Sequence, residues 1–350
     1  MFGRLKFSGD LCTTAMGIMP HENVDDALNL AFTLDIPFWP QLPRLAYYED
    51  MYVQALENFP GAVIDEKCTR IYIDTNKFMD DIPRYLENED NPEYFRLSDK
   101  YSLVYREFLS KELPHFTSIR GQVISPVSLT LKIVDENDKP IVYNDEMRAL
   151  AFSFIRKKVN TQYRELKEKN GRAFVWVDDP GLEFIFNAMC GYDSAKAKRE
   201  LTEFFDGIEG PRGLHLCGRP DWDFLLSLNI EILSLNAYAF GDIFVTYPGA
   251  KAFIEKGNII SWGIVPTYFE EFSQEDVETI SKRLEAMWEK LEANGADVGL
   301  IVKNSMLAPA TCNLLNPDKT VTVENSFRLL RALSAHLKEK YGKEIENFEF

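Results

Sequence analysis

The hydrophobic positions along this chain alternate between two periods. Short continuous apolar runs, as in strands buried on both faces, give way to polar or proline-rich stretches. Segments with apolar residues at every third or fourth position follow, as in helices packed by one face. The first candidate strand covers 6–11 and leads into a loop of mostly small residues, Thr13-Thr14-Ala15-Met16-Gly17. Helical spacing over 24–34 (Val24, Ala27, Leu28, Ala31) stands behind Asn23, a good N-cap. Residues 35–38 read as a short strand, and the loop after it, Trp39-Pro40-Gln41-Leu42-Pro43, is too rich in proline to continue as strand or helix.

The same alternation continues through a helix over 47–58, a strand over 68–73, a polar surface insertion at about 80–100 and a helix over 98–111. A strand over 116–123 runs into Ser125-Pro126, 135–144 is a charged loop, and a long helix over 145–169 stops at Asn170-Gly171. Strands are then predicted over 172–177, 213–217, 230–235, 259–264 and 298–302, and helices over 194–205 (capped by Ser194), 221–227, 248–256, 275–293 and 323–341.

Strand, loop and helix recur about eight times, which predicts a single (β/α)8 barrel over 1–350 with loop insertions. An open doubly wound sheet is the alternative, and it gathers fewer strand ends around one site. In a barrel the chemistry lies where strands end. The unusual stretches fall there: the Thr13-Thr14 loop, Trp39-Pro40, Ser125-Pro126, Asp178-Asp179-Pro180, His215-Leu216-Cys217, Asn236-Ala237-Tyr238 and Thr311-Cys312.

Composition narrows the function. A net charge of −16 argues against nucleic acid or an anionic membrane surface as partner. Cys12, Cys68, Cys190, Cys217 and Cys312 are scattered and odd in number, which suits a reducing cytoplasm and not a disulfide framework. The first ten residues lack the apolar core of a signal peptide, and no apolar run approaches the roughly 18 residues of a membrane span.

The candidate chemistry centres on His215 and Cys217. Side chains at i and i+2 of a strand share a face, so an imidazole and a thiol would stand together at a strand end. That is half of a zinc site, and Cys312 is the best candidate to complete it. Dispersed ligands suit an open, catalytic site, whereas a structural zinc knuckle would show close Cys-x-x-Cys pairs. The competing reading is a hydrogen-bonded core histidine beside buried cysteines. A sulfur-rich site would deprotonate and orient an incoming thiol for alkyl transfer. Asp178 would face the pocket and hold a cationic group of the substrate, with Glu183 in support and Asp242 as a further pocket acid.

His215-Leu216-Cys217 with Cys312, Val177-Asp178-Asp179-Pro180-Gly181-Leu182-Glu183 and Gly121-Gln122-Val123-Ile124-Ser125-Pro126 together resemble a known superfamily. It joins uroporphyrinogen decarboxylase, the catalytic half of cobalamin-independent methionine synthase and the methylcobamide:thiol methyltransferases. The resemblance implies zinc on His215, Cys217 and Cys312, an amino-group contact at Asp178, and substrate contacts from Thr14, Ser125 and Asn236. Asn236 stands where the methionine synthases carry a zinc-ligating glutamate, and a neutral amide is a poor zinc ligand.

One barrel also leaves no room for a second, folate-handling half. The resemblance therefore points to a small thiol acceptor (homocysteine or coenzyme M-like) and a methylated corrinoid such as methylcobalamin as donor, free or on a corrinoid protein. A rim of Trp39, Tyr238, Phe240 and Trp262 would accept its flat ring. A decarboxylase-like enzyme, for which Arg44 is the single loop arginine on offer, and a non-catalytic corrinoid- or metal-binding barrel are the alternatives.

Overall fold

A computed structural model describes residues 5–187 and 190–346. Its strands in chain order are β1 (Cys12–Thr13), β2 (Ala62–Asp65), β3 (Arg70–Ile73), β4 (Arg120–Ile124), β5 (Val134–Asp135), β6 (Phe174–Asp178), β7 (Arg212–Leu216), β8 (Ile232–Leu235), β9 (Ile259–Val265) and β10 (Ser305–Pro309). Seven of them form one parallel sheet in the order β1-β10-β9-β8-β7-β6-β4. All seven are buried along their length, and β6, β8, β9 and β10 are mostly apolar, as strands buried on both faces are. Helices between successive strands cover the outside. The longest internal one, Asp145–Lys169, has the predicted bounds: Asn144 caps it, two acids fill its first turn and two lysines its last.

The two edges of the sheet are joined by residues 36–38, where a strand was expected. Ile36 N–H donates to Thr13 O at 3.0 Å and Arg120 N–H donates to Pro37 O at 3.1 Å, with a single isolated bridge from Phe38 to Arg120. Pro37 has no N–H to give, so a full ladder does not form. The expected regular eight-stranded barrel is present as a curled seven-stranded sheet whose edges meet across this segment.

Other expectations are corrected. Residues 6–11 form no strand, because Asp10 and Leu11 take positive φ (42° and 56°) and extended pairing begins only at Cys12. Residues 298–302 lie in a helix, Val298–Lys303, started by Asp297, whose carboxylate accepts from Leu300 N–H; the strand follows at β10. The strand expected over 68–73 forms as β3, but it pairs antiparallel with β2 and parallel with β5 in a separate small sheet. The polar insertion at 80–100 is more ordered than expected: the helix Thr75–Glu87 runs into it, and Tyr94, Phe95 and Leu97 are buried.

The register sets one level of the main sheet apart. Asp178 pairs with His215, His215 with Ser234 and Ser234 with Ser261, so β6, β7, β8 and β9 each place a buried polar side chain at the same height. Two residues earlier the level is Trp176, Gly213, Ile232 and Ile259. Trp176 fills the space that Gly213 leaves: a Cβ on Gly213 would stand 2.3 Å from Trp176 Cδ1. Gly213→Ala is therefore expected to lower stability by about 1–3 kcal/mol, the cost of overpacking a filled core, read as a lower urea midpoint at unchanged m-value. An unaltered midpoint would show that the indole can move aside.

Candidate metal centre

β7 ends at Leu216, and Cys217 follows where the chain turns away. Glu183 holds that turn: its Oε2 accepts from Arg219 N–H at 3.1 Å, and a side chain at Gly218 would collide with it. Cys312 comes from the loop after β10, 95 positions on. The loop is threaded back onto the first turn of the chain, with Ile18 N–H donating to Cys312 O at 2.9 Å.

The result is a tight cluster. His215 Nε2 lies 3.1 Å from Cys217 Sγ, and Cys217 Sγ lies 3.2 Å from Cys312 Sγ. One donor atom from each residue lies within 4.8 Å of the others, the arrangement of a group that could hold a metal ion. Cys217 Sγ also accepts from Cys312 N–H at 3.2 Å. The other imidazole nitrogen, Nδ1, is 2.8 Å from Ser234 Oγ on β8, which leaves Nε2 for the sulfurs.

The charges follow from these contacts. The Cys312 thiol hydrogen-bonds to Cys217 and, with His215 and the Cys312 N–H, outweighs burial to hold the Cys217 thiol well below its ordinary range. Cys312 is pushed well up, by that same bond and by burial. Burial acts against charge on His215, but the neighbouring Cys217 and Asp178 raise it on balance. Cys12, the other thiol beside a strand end, lies instead in an apolar cluster with Phe174, Trp176 and Met306, and burial raises it to about 11.

Asp178 is fully enclosed at the end of β6, and its Oδ1 finds no hydrogen-bond partner. Burial raises it to about 7, against the pull of His215 and Arg120. Asp179, raised to about 6 by burial, faces the other way and accepts from Ser128 Oγ at 2.6 Å.

Arg120, which sequence reasoning missed, is wholly buried between the rings of Phe38 and Trp176, 4.6 and 4.5 Å from their centroids. Its Nε donates to Thr14 Oγ1 at 3.3 Å and Nη1 to Gln122 Oε1 at 3.0 Å, while Nη2 has no partner. Ser234 was also missed, although a serine inside the apolar run of β8 was a signal. Tyr52, half-buried on the helix Met51–Ala55, is raised by burial and then by the charges of Asp179, Asp50, Asp178 and Cys312.

The remaining expected residues are engaged in other hydrogen bonds. Thr14 is engaged by Arg120. Ser125 caps the helix Pro126–Lys132 by accepting from Ser128 N–H. Asn236 caps the helix Ala237–Phe244 by accepting from Ala239 N–H at 3.0 Å. The expected aromatic rim does not form: Trp39 and Trp262 are 1% and 0% exposed, and Tyr238 gives its hydroxyl to Glu275 at 2.8 Å under Arg283. Asp242 is exposed and paired with Lys290, so it is no pocket acid.

No protein-family model matches the chain, and no curated protein matches it. Among solved structures the chain is similar to a B12-independent methionine synthase from Shewanella sp. W3-18-1 in complex with selenomethionine, at 12% identity and a TM-score of 0.43, over 72% of this chain and 67% of that one. A likeness of this size does not assign the site, which is read from its own geometry.

The thiol arrangement has a measurable consequence in metal-free protein. Between pH 8 and pH 6 the alkylation rate at Cys217 should fall much less than at Cys68, whose exposed thiol is raised by Asp65. Site-resolved iodoacetamide labelling by mass spectrometry reads both in one sample. Parallel pH profiles would mean that Cys217 holds no stabilised thiolate.

Proposed function

We propose that the chain is a (β/α)8-type barrel, a single domain with residues 36–38 as its eighth stave, that binds zinc through His215, Cys217 and Cys312 and activates a small thiol for methylation. The observation that carries this reading is the convergence of one imidazole and two sulfurs from two strand ends. The donor set fits zinc in type and number, with a fourth position open. Tetrahedral zinc with about 2.3 Å bonds sets two sulfurs about 3.8 Å apart, so loading asks the pair to open by about half an ångström.

Zinc would supply the positive charge that keeps an incoming thiol deprotonated at neutral pH. The side chains do the rest. Ser234 fixes the ring orientation of His215. Asp178, with Oδ1 unpaired, is placed to hold a cationic group of the substrate. Asn236 is occupied as a helix cap and leaves the fourth position to the thiol. A methylated corrinoid is the donor to test first, although the buried Trp39 and Trp262 remove the aromatic seat expected for it. The decarboxylase-like alternative would leave the His215–Cys217–Cys312 cluster idle, and its loop arginine, Arg44, points to solvent.

Metal analysis of the purified protein should find about one zinc per chain, and a Cys217→Ser/Cys312→Ser double variant should lose it. Ser234→Ala should weaken zinc binding by about 10–100-fold in chelator competition, the usual effect of removing a partner of a ligating histidine. With zinc loaded, methylcobalamin and homocysteine or coenzyme M should give a methylated thiol, followed by corrinoid absorbance. Zinc bound without turnover for any thiol or donor would leave a metal-binding barrel. No zinc at all would overturn the reading.

A further inference from the structure

The two sulfurs of the metal centre are close enough to react with each other. Cys217 Sγ and Cys312 Sγ lie 3.2 Å apart. That is less than the roughly 3.8 Å between two sulfurs on a tetrahedral zinc and more than the roughly 2.05 Å of a disulfide. Both residues stand past the last ladder residues of their strands, Leu216 and Pro309. Closing the remaining distance of about 1.1 Å therefore does not pull a strand out of register. Both are also only half-buried, within reach of a small solute.

Among the described residues no other two thiols are hydrogen-bonded to each other. Cys68 is exposed beside Asp65, and Cys12 is packed in its apolar cluster. The reactive pair is itself unequal. Cys217 Sγ accepts from Cys312 N–H at 3.2 Å and faces His215 Nε2 at 3.1 Å. Cys312 has no such support and packs against the apolar cluster that holds Met16. Cys217 is therefore the sulfur that attacks, and Cys312 the one that resolves.

We infer that Cys217 and Cys312 are a reversible oxidation site, which a hydroperoxide converts to a disulfide. Cys217 Sγ attacks the terminal peroxide oxygen. The O–O bond breaks, an S–O bond forms, and the rest of the peroxide leaves as water or an alcohol with the Cys217 thiol proton. Cys312 Sγ then attacks the sulfenic sulfur. The S–S bond forms, the S–O bond breaks, and the hydroxyl departs as water with the Cys312 proton. The thiols lose two electrons in all and the peroxide gains them.

The bond depends only on the geometry above. Its consequence for the metal rests on the zinc reading: a disulfide removes two of three donors and leaves His215 alone, too few to hold zinc. By the same linkage, a zinc-loaded pair is harder to oxidise.

Treating the reduced, metal-stripped full chain with hydrogen peroxide tests this. Intact mass should fall by the mass of two hydrogens, peptide mapping should join Cys217 to Cys312, and dithiothreitol should reverse both. In chelator competition the oxidised protein should lose zinc binding, and reduction should restore it. In Cys312→Ser the mass loss should vanish, and dimedone should trap a sulfenic acid at Cys217. Cys217 carried on to sulfinic acid while Cys312 stays free would overturn the site. So would linkage through Cys12, Cys68 or Cys190 instead, or an oxidised protein that binds zinc as the reduced one does. Should the variant not fold, the wild-type peptide map decides alone. A disulfide in a protein whose reduced form takes up no zinc would support the site and sink the zinc reading; zinc uptake with no disulfide would do the reverse.

Discussion

The structure depends on a contact between sulfurs that the chain keeps 95 positions apart. Neither segment could hold the contact alone. β7 delivers His215 and Cys217 because alternate residues of a strand share a face. Cys312 reaches them because parallel pairing from β7 through β8 and β9 to β10 fixes where the loop after β10 begins. The backbone tie from Ile18 to Cys312 completes the placement. The sheet register therefore controls the chemistry directly: a slip of one residue in β7 would turn both groups to the opposite face.

Around that contact the protein accepts several buried ionisable groups that a plain core would avoid. Asp178, Asp179 and Arg120 are almost wholly enclosed, and burying charge is costly unless the group is paired or neutralised. Part of the cost is met by hydrogen bonds, as from Ser128 to Asp179, and part by stacking, as of Arg120 between Phe38 and Trp176. Asp178 has neither at Oδ1, and its carboxyl is correspondingly raised. Unsatisfied polar atoms beside a cluster of metal-type donors are what a site shaped for a polar ligand presents before the ligand arrives.

Much of this was legible in the amino-acid order. The apolar runs located five of the seven strands of the main sheet to within a few residues, and the long helix has the predicted bounds, with Asn170-Gly171 as its stop. His215-Leu216-Cys217 and Cys312 stood out by residue type and position. What escaped was set by tertiary context. The run at 298–302 has no period that separates a short helix from a strand, and Asp297 decided it as a cap. Trp39 and Trp262 looked like a rim because sequence shows that an aromatic follows or lies within a strand, but not whether its ring points into the core. Arg120 was invisible as a buried cation because its neighbours, Phe38 and Trp176, are far away in the chain.

The segment 36–38 has a mechanical consequence. Elsewhere the wall is held by backbone ladders between strands, but here two backbone bonds and one bridge join the edges, flanked by side-chain bonds between Thr13 and Asp35 and from Gln122 to Trp39 O. Arg120 is rooted at this seam, and parting it would let water reach a guanidinium that is otherwise dry. Hydration would return part of what its enclosure costs, so the wall should breathe there before it breathes elsewhere. The same segment runs on to Gln41, which bridges Ile18, and Ile18 N–H also holds Cys312 O, so motion at the seam would be felt at the loop that carries the second sulfur.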